Sequence, residues 1–110
     1  MYRLQPVLKW LSAFLISYQI LSISNRFITP NGDGRNDFVS FSLDNPSDVE
    51  ITGRIYSLRG EHIADMRQGP KPRTLSWDGR AEGATVPAGI YIYLLVGGDR
   101  HQSGTVVVVR

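Results

Sequence analysis

The sequence predicts an all-β protein, an antiparallel sandwich of about seven short strands. Three observations carry that prediction. Eleven glycines and six prolines are spread through 110 residues, which leaves little room for helices. Between these breakers lie short runs rich in Val, Ile, Phe, Tyr and Thr, some with period-two alternation. Each run is closed by a cluster of Gly, Pro, Asn, Asp or Ser, the punctuation of a sandwich and not of strands alternating with helices.

In chain order, 20–25 is a candidate first strand, and Phe38 to Leu43 is the next. Asp44-Asn45-Pro46-Ser47-Asp48 turns the chain into Val49–Tyr56, where Val49, Ile51 and Ile55 share one face. Leu58-Arg59-Gly60-Glu61 is a tight turn leading to His62–Met66. Gln68 to Pro72 is a loop, and Arg73 to Trp77 is a short strand that brings Trp77 to the core. A glycine-containing connection, Asp78 to Gly89, precedes the two most apolar strands. These are Ile90–Val96 and Gly104–Val109, joined around Gly97-Gly98-Asp99-Arg100. Both read as apolar on two faces, as central strands do. Trp77, Tyr91, Tyr93, Phe38 and Phe41 are expected to fill much of a small core.

Charge separates the first 24 residues from the rest. Arg3 and Lys9 account for the net charge of +2, and every acidic residue lies beyond Ser24, where ten acids balance ten bases. No basic stripe suited to a phosphate backbone appears, so a nucleic-acid partner is not expected. Arg3 and Lys9 precede a mostly apolar run, Trp10 to Ile23, that ends in Ser22-Ile23-Ser24. This is the layout of a secretory signal peptide, and its polar interruptions make it too short for a stable membrane span. The alternative is that 18–24 is simply the first strand. The expected organisation is a lead segment or signal over 1–24 and the sandwich over 25–110. The absence of cysteine removes disulfides, zinc thiolates and thiol catalysis.

The densest local signal is Thr29-Pro30-Asn31-Gly32-Asp33-Gly34-Arg35-Asn36-Asp37. Glycine supplies positive φ, proline fixes φ, and Asn and Asp bond back to nearby backbone, so this is a compact loop. Asn31, Asp33, Asn36 and Asp37 are candidate calcium ligands, since Ca²⁺ takes about six to eight oxygens. Asn31 to Gly34 matches the third to sixth positions of an EF-hand-like loop. Thr29 and Ser40, however, stand where the first Asp and the bidentate Glu belong. The preferred reading is an Asx-turn network without a required cofactor, with calcium as the alternative.

A second set of motifs follows: Arg54-Ile55-Tyr56-Ser57-Leu58-Arg59-Gly60, Trp77-Asp78-Gly79, Pro87-Ala88-Gly89-Ile90-Tyr91, and Gly104 to Arg110. Taken in order with the Thr29–Asp37 loop, they resemble the FlgD-type immunoglobulin-like domain. They are similar too to the C-terminal domain associated with gliding motility and type IX secretion. The resemblance covers 27–110. It implies an immunoglobulin-like (fibronectin III-like) sandwich on an exported bacterial protein, secreted or held at the cell surface. It implies a non-enzymatic structural, anchoring or sorting module, with protein partners in a secretion, surface or appendage assembly. With only a short segment before the domain in this sequence, the expectation is either a small stand-alone exported protein or a piece of a longer one, and a flagellar hook-cap-like assembly domain is a further alternative.

The individual residues agree with a structural role. Trp77, Asp78, Gly79, Gly89 and Tyr91 read as a core tryptophan, a capped turn and a sheet tyrosine. A carbohydrate-stacking platform at Trp77 is the alternative, and with it a carbohydrate- or ligand-binding module. His62 and His101 lack ligand spacing, no Gly-x-Ser-x-Gly elbow occurs, and Gly97-Gly98 lacks the strand–loop–helix context of a phosphate cradle. No catalytic constellation is found, so no enzymatic activity is expected.

Overall fold

The computed structural model describes residues 18–46, 48–69 and 71–110. Eleven strands are formed, and seven of them have four or more residues. They are β1 (Gln19–Ile23), β2 (Phe27–Ile28), β3 (Val39–Asp44), β4 (Ile51–Ser57), β5 (His62–Asp65), β6 (Arg67–Gln68), β7 (Thr74–Trp77), β8 (Arg80–Ala81), β9 (Ala84–Thr85), β10 (Gly89–Gly97) and β11 (Arg100–Val108). One sheet has the order β1-β3-β7-β6 and the other β2-β11-β10-β4-β5, with β8-β9 as a small hairpin. This is the strand arrangement of an immunoglobulin-like sandwich, whose initial strand is divided between the two sheets.

Period-two alternation builds the core. Val39, Phe41 and Leu43 of β3, Leu75 and Trp77 of β7, and Tyr91, Tyr93 and Leu95 of β10 all point inward with Val106 and Val108 of β11. β10 and β11 pair over nine residues, from Gly89↔Val108 to Gly97↔Arg100. Gly98, at φ 59°, turns the hairpin. Opposite Tyr93 stands Gly104, where an added Cβ would lie 2.5 Å from the Tyr93 hydroxyl oxygen. The glycine leaves room for the ring, which packs on Phe41 at 4.6 Å between centroids.

Three expectations are corrected. The boundary at 24/25 falls inside the domain: β1 pairs with β3 from Gln19↔Asp44 to Ile23↔Phe41, and Tyr18 is 0% exposed. The Tyr18 hydroxyl donates to the Leu95 carbonyl at 2.8 Å. The proposed signal over 1–17 lies outside the described residues. Phe38 is not core but 49% exposed, because it precedes β3 and has the opposite parity to Phe41. The sandwich is antiparallel as expected, apart from the short parallel pairing of β2 with β11. Finally, β10 and β11 are covered on one face only. Ile90 and Val109 are exposed, and Ile92, Leu94 and Val107 are half-buried on the outer face.

Candidate functional site

The Thr29–Asp37 loop is held by its own side chains. The two Asp37 carboxylate oxygens accept the Gly32 N–H at 2.9 Å and the Gly34 N–H at 2.7 Å. Asn31 Oδ1 accepts the Asp33 N–H at 3.1 Å, and Asp33 Oδ1 accepts the Arg35 N–H at 2.8 Å. The backbone closes the base where Thr29 N–H donates to the Asn36 carbonyl at 2.7 Å. Gly32 and Gly34 have φ of 79° and 83°, and Asn36 follows at 52°. Three of the four candidate calcium ligands thus use side-chain oxygens to satisfy backbone donors, the geometry of linked Asx turns. Among the described residues, no group of three His, Asp or Glu side chains comes together.

The later motifs form one corner of the fold. Trp77 is 3% exposed, and its indole N–H donates to the Arg80 carbonyl at 3.0 Å. The ring meets Tyr91 edge-on at 5.6 Å between centroids. The Tyr91 hydroxyl donates back to the Pro87 carbonyl at 2.6 Å. That bond, from a tyrosine at the start of the strand to backbone four residues earlier, is the tyrosine corner of immunoglobulin-like domains. Burial raises the Tyr91 phenol above its ordinary value, and the Arg110 charge partly offsets this. Asp78 Oδ1 accepts the Arg80 N–H at 3.1 Å, which caps the turn at Gly79, φ 74°. A Cβ on Gly79 would lie 3.0 Å from Pro30 Cγ, so the early loop rests directly on this glycine. Trp77-Asp78-Gly79 and Thr29-Pro30 therefore specify one packed contact, and a buried Trp77 offers no face to a sugar.

Open backbone lies elsewhere, along β11. The Val107 N–H donates to Arg26 O and the Val109 N–H to Ile28 O, so alternate amides of β11 face away from β10. β2 pairs only with Val107 and Val108. By the same alternation, the N–H and C=O groups of His101, Ser103 and Thr105 face outward, with no strand beside them among the described residues. β11 is thus covered at its C-terminal end and an edge over its first part. The sequence reading starts this strand at Gly104 and so leaves His101 to Ser103 outside it. His101-Gln102-Ser103 has poor strand propensity, and only pairing with the strongly β-forming 90–97 run recruits it.

Grooves also mark the surface of the described residues, two of them beside the motifs above. One, about 680 Å³, runs between β5 and the β8–β9 hairpin and is lined by His62, Asp65, Arg67, Ser76, Arg80 and Glu82 among others. His62 Nε2 lies 2.8 Å from Asp65 Oδ1 there, and both side chains are well exposed. A smaller one, about 270 Å³, lies where Thr29, Pro30 and Asn31 approach Thr85, Val109 and Arg110. No helix among the described residues is long and apolar enough to cross a membrane.

The fold and its corner define an immunoglobulin-like module. Over residues 21–108 the chain matches the type IX secretion signal domain known as CHU_C, and it belongs to that family. The match begins within β1, as the structure places the start of the sandwich. No curated protein and no solved structure matches the chain. A domain of this family is a sorting module that marks proteins for export to the cell surface or the medium.

Proposed function

We propose that this domain directs and anchors an exported protein by strand addition, with β11 from Arg100 to Val106 as the contact. The observation that carries the reading is that edge: a nine-residue strand paired over its full length on one side and over only two residues on the other. An extended segment of a secretion-machinery protein would supply the missing hydrogen bonds, and the alternate side chains His101, Ser103 and Thr105 would tune the fit. The module works by association, not turnover. The buried Trp77 argues against the carbohydrate-binding alternative, and nothing on the surface favours a hook-cap role.

Ser103→Pro tests the contact. Proline is tolerated where an edge N–H faces solvent, and it removes a donor the partner strand requires. In a type IX-competent bacterium the parent chain should reach the surface or medium. The variant should stay in the cell envelope while melting within a few degrees of the parent. Equal export of both proteins would refute the β11 contact. Retention of the parent itself would refute the sorting reading.

A further inference from the structure

The loop contains two chemically fragile dipeptides, Asn31-Gly32 and Asp33-Gly34. Glycine after Asn or Asp leaves the following amide nitrogen unhindered, so it can attack the side-chain carbonyl carbon. At Asn31 the Gly32 nitrogen bonds to Cγ and the Cγ–Nδ2 bond breaks. The Gly32 proton leaves with Nδ2 as ammonia, through solvent. Water then opens the succinimide at either carbonyl to give aspartate or isoaspartate. Asparagines of this kind are the thermolabile ones. Asn31 is exposed, so water has access.

Both nucleophilic nitrogens are held by one residue. Asp37 Oδ1 accepts from Gly32 N at 2.9 Å and Oδ2 from Gly34 N at 2.7 Å. We infer that Asp37 guards the loop against succinimide formation, making Asn31-Gly32 a self-modification site that opens only when the Asp37 clamp is lost. Two physical effects act together. The attacking nitrogen must break a charge-assisted hydrogen bond before it can turn toward Cγ. A carboxylate at that distance also disfavours the amide anion that begins the attack. The electrophile is held as well, because Asn31 Oδ1 is engaged by the Asp33 N–H. A hydrogen bond to a charged group holds back the reaction about ten- to a hundredfold, with an exposed one at the low end. When the clamp opens, a new negative charge appears beside the groove that Asn31 shares with Arg110. The isoaspartate form adds a backbone methylene as well, which breaks the register of the Thr29–Asn36 closure.

The test follows deamidation at Asn31 by mass spectrometry of the tryptic peptide 27–35 during incubation at mildly alkaline pH. The samples are the intact folded chain, its Asp37→Ala and Asp37→Asn variants, and the free synthetic 27–35 peptide. The folded parent should deamidate at least about tenfold more slowly than the peptide. Asp37→Ala should approach the peptide rate, and Asp37→Asn, which keeps the shape but loses the charge and one acceptor oxygen, should fall between. A parent as fast as the peptide overturns the inference, whatever the variants do. So does a folded Asp37→Ala or Asp37→Asn chain that deamidates as slowly as the parent.

Discussion

Removing residues 18–24 should unfold the domain, although from sequence alone they read as the end of a leader. Tyr18 is fully buried, donates to the Leu95 carbonyl at 2.8 Å and lies against Gly97, where an added Cβ would come within 2.7 Å of its ring. A buried aromatic takes about 150–250 Å² out of water, or ~4–6 kcal/mol at ~25 cal/mol per Å². That is an upper bound, because the unfolded chain already hides part of this area. A domain of this size holds only about 5–15 kcal/mol in total. The deletion also strips β1 from β3 and leaves a new edge carrying the Ser40 and Ser42 backbone. A chain beginning at Asn25 should therefore melt much lower than one beginning at Tyr18, with loss of near-ultraviolet circular dichroism. Tyr18→Ala in the longer chain should cost about 3–5 kcal/mol in urea unfolding, as for other large aromatic truncations. An Asn25 chain with the same midpoint and slope as the longer one would refute the placement of Tyr18 in the core.

Five further outcomes are expected. Tyr91→Phe removes the tyrosine corner and should lower stability by about 0.5–1.5 kcal/mol, read from the urea midpoint, while Trp77→Ala should cost about 3–5 kcal/mol. Gly104→Ala pushes a methyl into Tyr93 and should destabilise by about 1–3 kcal/mol, with partial rescue in the Tyr93→Leu background; a stabilised variant would show that the ring moves freely. Burial raises the phenols of Tyr18 and Tyr91, so the unfolded chain releases these protons first as pH rises. Their contribution is intact below about pH 10 and is lost above it, and melts between pH 9 and 11 should show the fall unless both phenols are exposed. For the Thr29–Asp37 loop we propose a structural role with calcium affinity no tighter than roughly 10⁻⁴ to 10⁻³ M, so chelator added at micromolar calcium should leave the melting temperature unchanged.

The sequence carried most of the inner face because alternation is a direct physical signature. Val39, Phe41 and Leu43 alternate with serines, and the odd residues from Tyr91 to Leu95 face inward as one set. The same rule, applied strictly, would have removed Phe38 from the core, since its parity opposes Phe41. Tyr18 was hidden for another reason. The run from Trp10 to Ile23 is mostly apolar and has no turn signal before Tyr18, so its last residues resemble a leader as much as a strand. A bulge near Leu21, which is 65% exposed, further shifts the alternation between Ile20 and Ser22. The parallel β2–β11 pairing rests on two residues, and no local pattern of that length specifies a partner. The β11 edge was illegible because exposure of backbone depends on which strand ends beside it, a property of topology alone.

That dependence bears on how one small sandwich could both fold and, under the proposed strand addition, associate. The residues on which the family resemblance was read, Thr29-Pro30, Trp77-Asp78-Gly79 and Pro87 to Tyr91, are largely consumed by packing and turn closure. Pro30 sits on Gly79, Trp77 meets Tyr91, and the Tyr91 hydroxyl returns to Pro87. Their side chains leave little to offer a partner. Recognition through backbone at β11 needs no special side chain, only that β2 stop after two residues. The closing device is local. Ser24 N–H donates to the Ser40 carbonyl, Ser40 N–H donates back to Ser24 Oγ, and the Asn25 side chain bonds the Phe27 carbonyl, so the chain leaves the β1 sheet and touches β11 only briefly before Pro30 turns it away. Lengthening β2 would then protect the edge and blunt association while raising stability. Under the proposed strand-addition contact, the short crossover from Ser24 to Pro30 would limit the fold's stability while keeping this strand open.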